Sequence, residues 1–196
     1  MRDLQVGDHV LVPAAGNALR YERVAMFYHR EPETRVQFVR LETESGKILS
    51  LTALHLLPFG DCSAMQERNF GADGVEEWMR KARFAHKARV GDCVLSLDDQ
   101  RNVQVERITK VGRELSKGIY SPVTVEGSII TNNILSSCFS QIESHAAQKM
   151  AFDALMLFYS SFGYLSNMAY GAVQEIPTLL QYFHTFSFYL LPFAKY

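Results

Sequence analysis

The feature that most constrains this chain is a repeat. Val6-Gly7-Asp8-His9-Val10-Leu11 returns 84 residues later as Val90-Gly91-Asp92-Cys93-Val94-Leu95. Sixteen residues past the start of each copy stands the same pair, Glu22-Arg23 and Glu106-Arg107, followed by Val24 and Ile108. No gap is needed between the anchors. Two fragments matching at one offset arise by chance far less often than a single short match, so they indicate an internal duplication. Each Gly-Asp precedes a strand-like run, where glycine permits a tight turn that a side chain would obstruct. A duplicated, strand-rich module directs the search for a site to the space between its copies.

Composition narrows the options. The chain has 196 residues, enough for one domain or one domain with an appendage, and 47% of them are hydrophobic, enough for a core. Twenty basic and 21 acidic residues leave a net charge of -1, with no basic run, so nucleic acid is not expected as a partner. Three cysteines, Cys62, Cys93 and Cys138, with no CxxC, exclude a zinc ribbon and a disulfide-dense scaffold, while one disulfide remains open. Met1-Arg2-Asp3-Leu4 has no apolar stretch and is not a signal peptide. The repeat follows it abruptly for a natural domain start.

Short strands are expected over His9–Pro13, Glu22–Phe27, Val36–Leu41 and Ile48–Thr52, with turns at Gly16-Asn17, Pro32 and Ser45-Gly46. The second copy predicts strands over Cys93–Leu97, Val103–Val111, Val123–Val125 and Ile129–Leu135, with turns at Asp98-Asp99 and Glu126-Gly127. Between the copies, residues 60–82 read as a polar surface excursion with a short helix around Val75–Arg80, and Trp78 is expected to pin it to the core. Residues 142–160 have helical spacing. The last 45 residues hold 13 of the 23 aromatics and only three charged groups, Asp153, Glu175 and Lys195. Ala154–Gln174 and Ile176–Ala194 carry no formal charge and are each nominally long enough to span a bilayer, but both contain polar residues. A lipid-facing or lipid-binding appendage is the expectation, with membrane association as its consequence.

Four residues could carry chemistry. Thr52 and His55 close the fourth strand, where a hydroxyl and an imidazole can point at one polar pocket. An imidazole near neutral pKa can protonate a leaving amine while the hydroxyl polarises the amide being broken. A core histidine with a satisfied hydrogen bond is the alternative. Cys138, in Leu135-Ser136-Ser137-Cys138-Phe139, reads alone as buried packing, and His29, in Tyr28-His29-Arg30-Glu31, as a base at a strand end or an exposed turn residue.

The combination is more specific. Gly-Asp-x-Val-Leu near the start, Leu51-Thr52-Ala53-Leu54-His55-Leu56-Leu57, Ser121-Pro122-Val123-Thr124-Val125-Glu126-Gly127, Ser137-Cys138-Phe139 and Ile142-Glu143-Ser144-His145 resemble, in that order, the hedgehog autoprocessing domain. That domain is the Hint module shared with inteins. The resemblance runs from about Leu4 to His145 and is most specific over Lys117–His145. His29 stands where signalling hedgehogs carry aspartate, which makes the chain look more like the hedgehog-related nematode proteins of warthog and groundhog type.

The resemblance implies a mainly β fold of two pseudo-twofold β-modules with a helical, aromatic-rich C-terminal appendage. It divides the chain into an autoprocessing domain over residues 1–145 and a sterol- or adduct-recognition region over 146–196. It implies a C-terminal domain of a secreted precursor that turns the preceding peptide bond into a thioester. The domain then passes its N-terminal signalling fragment to a sterol, with no cofactor. Carried over by position, Thr52 and His55 polarise the scissile amide and assist its nitrogen in leaving. His29 takes the place of the residue that activates the sterol hydroxyl, and Cys138 lies beside the site, able to exchange with the initiating cysteine. The expected setting is the secretory pathway, ending at the cell surface or outside the cell. The initiating cysteine would lie upstream of Leu4, yet no cysteine precedes Cys62, so a chain truncated at its start is expected. Two other readings compete: a Hint module releasing its partner by hydrolysis, and a catalytically dead module kept for binding lipid or membrane.

Overall fold

The computed structural model describes residues 1–14, 18–67 and 74–167. The Gly16-Asn17 turn and most of the aromatic tail, including the second uncharged stretch, lie outside the described residues. The chain divides into two compact units, Met1–Lys149 and Met150–Tyr196. No helix among the described residues is long and apolar enough to cross a membrane.

The first unit is built from strands. β1 (His9–Pro13), β2 (Leu19–Thr43), β3 (Ile48–Thr52), β4 (Leu56–Leu57) and β5 (Phe59–Gly60) form its first half. After α1 (Cys62–Glu67) and α2 (Gly74–Arg80) come β6 (Arg83–Phe84), β7 (Cys93–Leu97), β8 (Val103–Thr124), β9 (Ser128–Thr131) and β10 (Ile134–Ser137). α3 (His145–Asn167) follows, and the Ser144 hydroxyl accepts from the Ala147 N–H at its start, an N-cap for an otherwise unpaired donor. The main sheet runs β1-β2-β8-β7-β10-β9, with β3 on β2 and β5 on β7.

From its glycine onward the repeated motif has backbone tasks, and each task occurs twice. Gly7 and Gly91 sit at φ +95° and +98°, where a side chain is strained. Their N–H groups donate to the carbonyls of Val24 and Ile108, both at 2.9 Å. Asp8 and Asp92 accept from the N–H groups of Gln5 and Arg89, at 2.8 and 2.9 Å. His9 then pairs with Arg23 and Cys93 with Arg107, so the register keeps the offset of 84.

The two long strands run antiparallel along each other, from Val24 opposite Thr124 to Thr43 opposite Ile108. These are equivalent ends: Val24 and Ile108 are repeat mates at the offset of 84, and Thr43 and Thr124, 81 residues apart, open matching turns. Each of those threonines opens a tight turn, closed by Gly46 at φ +83° in one and Gly127 at φ +73° in the other. The copies clasp each other crosswise. Glu106 of the second accepts the Ser45 N–H of the first copy's turn at 2.8 Å, and Glu22 of the first accepts the Glu126 N–H of the second's at 3.1 Å.

Three sequence expectations need correction. The separate strands over 22–27 and 36–41, and over 103–111 and 123–125, are single strands of 25 and 22 residues. Pro32 makes no turn. It lies inside β2, in the register shift between Glu31 and Arg35, where a missing N–H breaks no ladder bond. The strand expected over 129–135 is a hairpin, turned by Asn132 and Asn133 at φ +50° and +61°, the signature of a type I′ turn.

The core lies between the copies. Leu41, Leu49 and Leu51 of the first pack with Val94, Ile108 and Ile134 of the second. Residues 60–82 are more than a surface excursion. Met65 and Trp78 join Leu95 and Leu135 in a second cluster, so Trp78 anchors the segment as expected. Cys62 and Cys93 form a disulfide that fastens it to β7.

Candidate functional site

Thr52 ends β3 opposite Phe38 of β2. The chain then turns, the His55 N–H donating to the Thr52 carbonyl at 3.0 Å. Two neighbours hold this turn. On one side, the Ala85 and His86 N–H groups donate to the carbonyls of His55 and Ala53, at 2.8 and 3.1 Å. Glu143 steadies that 3-10 turn, Ala85–Lys87, by pairing with Lys87 and accepting the Phe84 N–H at 3.1 Å. On the other side, the segment after β10 pairs with it. The Leu56 N–H donates to the Phe139 carbonyl at 3.0 Å, and the Gln141 N–H to the Leu54 carbonyl at 3.2 Å.

The imidazole of His55 is fixed by the same segment. Its Nε2 lies 2.8 Å from the Ser137 carbonyl oxygen. A carbonyl only accepts, so Nε2 carries the proton and Nδ1 holds the free lone pair of the neutral ring. Burial lowers the pKa of His55 below the ordinary histidine value, while the bond to the Ser137 carbonyl acts in the opposite direction. The net shift is downward and favours the neutral imidazole, whose Nδ1 is able to accept a proton.

Cys138 follows Ser137 and is buried and free. Its N–H donates to the Gly127 carbonyl at 2.8 Å, and its Sγ lies 3.7 Å from the Thr124 hydroxyl. Burial pushes the thiol up to about 11, against the weaker effect of its bonds to Thr124. It is therefore a thiol, not a thiolate, at pH 7.

His29 is not at a strand end. It lies inside β2, in the register shift between Phe27 and Arg30, with its Nδ1 3.5 Å from Glu31 Oε1 and its ring edge-on to Tyr28. The structure thus joins the end of β3 to the end of β10, one from each copy, while His29 stands on the long strand β2.

Three contributors have no assigned role at the level of sequence: Thr124 beneath the Cys138 thiol, and Ser137 and His145, which are bonded side chain to side chain at 3.0 Å. A serine beside Cys138 and a histidine seven residues beyond it were the available signal. Neither stands out until β10 is paired.

The chain matches known proteins along its whole length. A family model described as "Hint module" covers residues 1–187. Protein qua-1 of Caenorhabditis elegans is 50% identical over 194 residues, which is 99% of this chain and 16% of that protein. Indian hedgehog B protein of Danio rerio is 36% identical over 165 residues, 82% of this chain and 38% of that one. This chain therefore spans well under half the length of either relative. In fold, it resembles a solved mutant of the Ssp DnaB mini-intein, with a TM-score of 0.50 at 10% identity, covering 70% of this chain and 77% of that one.

Proposed function

The chain belongs to the Hint module family, and from that membership we propose that it is the autoprocessing domain of a hedgehog-related precursor, which severs the peptide bond before it and hands the N-terminal fragment to a sterol. The observation that carries this reading is the neutral His55, its Nε2–H spent on the Ser137 carbonyl and its Nδ1 left to react.

The chemistry is two acyl transfers in place of one. The initiating cysteine, contributed by sequence upstream of Leu4, gives its thiol proton to His55 Nδ1. Its sulfur then attacks the preceding carbonyl carbon. The carbon–nitrogen bond breaks, the nitrogen takes the proton back from His55, and a thioester remains. Thr52, three residues before His55 on the same turn, polarises the carbonyl as charge develops on its oxygen. In the second step, His29 accepts the proton of a sterol hydroxyl whose oxygen attacks the thioester. The sulfur leaves and is reprotonated, and the fragment departs as an ester. Residues 146–196 present the sterol, and Cys138, the residue after Ser137, supplies the thiol that exchanges with the initiating cysteine. The module works inside the secretory pathway, and the Cys62–Cys93 disulfide supports that setting, since such bonds persist in oxidising compartments.

The test is a precursor carrying this chain behind its natural upstream sequence. With cholesterol, the released fragment should gain the mass of the sterol less water. His55→Ala should slow cleavage by dithiothreitol by about 100-fold or more, the lower range for loss of a proton-transfer group. A bare carboxylate formed in the presence of cholesterol refutes sterol transfer. No cleavage even with dithiothreitol refutes autoprocessing and leaves a lipid-binding module.

A further inference from the structure

Ser137 is fully buried, and its carbonyl and hydroxyl oxygens are both engaged. Its carbonyl oxygen accepts from His55 Nε2 at 2.8 Å. Its hydroxyl oxygen accepts the Phe139 N–H at 2.9 Å and lies 3.0 Å from His145 Nδ1. The charge state of the His145 ring follows from burial. His145 is buried, and desolvation, aided by the charge of Lys149, lowers its pKa to about 4, so the ring is neutral at pH 7. In the Nε2–H tautomer of that neutral ring, the relay runs from the Phe139 N–H to the Ser137 hydroxyl and from that hydroxyl to His145 Nδ1.

This relay fixes the rotamer of Ser137 and the backbone from Ser137 to Phe139. Phe139 is held again where its carbonyl accepts the Leu56 N–H, next to His55, and its ring packs against that of His145 at 5.3 Å between centroids. Both the ring and the backbone flank of His55 thus rest on a segment that His145 holds in place.

We propose that Ser137 and His145 are positioning residues for His55: their bond holds the Ser137 carbonyl where it selects the Nε2–H tautomer and so leaves Nδ1 as the reacting nitrogen. Neither touches the reacting atoms. The inference rests on the autoprocessing reading for its consequence, but not for its geometry. Imidazole 1H–15N correlation spectra of this chain read the tautomer directly. Wild-type His55 should be almost wholly Nε2–H. His145→Leu, which removes the acceptor, and Ser137→Ala, which removes one oxygen, should both turn it into a mixture of tautomers. His145→Asn sets an amide oxygen near the place of Nδ1 and should restore the wild-type state. In the precursor, His145→Leu and Ser137→Ala should slow thioester formation by about 10-fold or more, as a misplaced catalytic group does, with His145→Asn largely rescued. An unchanged His55 tautomer in either variant, with the remaining spectrum intact, overturns the proposal. Ser137→Ala decides alone if His145→Leu does not fold. A wild-type precursor that fails to cleave, while the tautomer shifts as expected, overturns the autoprocessing reading and not this one.

Discussion

Glu106 offers a quantitative test of the clasp between the copies. Its carboxylate is almost fully buried, 2% exposed, and accepts from Lys47 Nζ at 2.7 Å, Ser45 N at 2.8 Å and Ser96 Oγ at 2.6 Å. Burial alone would raise its pKa, but these bonds outweigh it and hold the group at about 2, against 4.5 unfolded. At about 1.4 kcal/mol per unit, that difference is worth about 3 kcal/mol at neutral pH. The mutational scale agrees, since breaking a buried pair and stranding its partner costs about 3–5 kcal/mol. Glu106→Gln should therefore lower the urea midpoint by about 1–3 M, given a slope of about 1–3 kcal/mol per molar. The sign with pH follows from the depressed value. The contribution is complete above about 4.5 and is lost as pH falls toward about 2, so the gap between wild type and variant should narrow over that window. Its repeat mate is the control. Glu22 accepts the Glu126 N–H at 3.1 Å and lies 3.5 Å from Arg20, so Glu22→Gln should cost about 1 kcal/mol. A loss below about 0.5 kcal/mol for Glu106→Gln at pH 7, the scale of an ordinary surface change, would refute the clasp as a major stabilising element. So would a gap that stays constant down to pH 3.

Reducing the Cys62–Cys93 bond, which closes a separation of 31 residues, should cost about 3–4 kcal/mol by loop-closure entropy, read from urea midpoints with and without reductant. Gly46→Ala, with open space at its Cβ, should cost about 1–2 kcal/mol for positive φ alone, whereas Gly127→Ala should cost more, because its Cβ would lie 2.5 Å from Phe139. Thermal melts of the pair separate the backbone cost from the steric one, and equal losses would contradict the packing of Phe139. Cys138 should resist iodoacetamide in the native protein at pH 8, where a thiol at about 11 is roughly one part in a thousand thiolate, and should label quickly in urea; rapid native labelling would show that it is accessible.

What could be read from the sequence was local. Gly7, Asp8, Glu22 and their mates act on backbone groups a few residues away or across one strand pair, so their spacing carried the fold. The strand end at Thr52 and the Asp98-Asp99 and Glu126-Gly127 turns were legible for the same reason. The continuous course of β2 through Pro32 was not, because it depends on a register shift against β8 that only the partner strand defines. The Asn132-Asn133 turn carried a signal in its own residues, obscured by the apolar run around it. Ser137 and His145 were illegible as a pair because their geometry depends on Gln141 bonding to Leu54, 87 residues earlier. Three cysteines allow three pairings, and nothing local selects Cys62 with Cys93.

The duplication also explains why one copy carries the histidine turn. The crossed clasps have diverged: Glu106 gained Lys47 and Ser96 as partners and is buried, whereas the corresponding positions around Glu22 are Ser128 and Val12. The stronger clasp holds the turn Thr43–Lys47, and β3 begins at the next residue, Ile48. Four residues on stands Thr52, and three beyond that His55. A turn fixed by a buried carboxylate leaves β3 a single register against β2, and a slip of one residue would turn Thr52 to the opposite face. Meanwhile the weaker clasp holds the turn of Thr124 and Gly127, whose job is to seat the Cys138 backbone and leave room for Phe139. The two halves thus divide the work. The second copy's buried carboxylate places the first copy's histidine, and the end of the second copy's hairpin sets its tautomer.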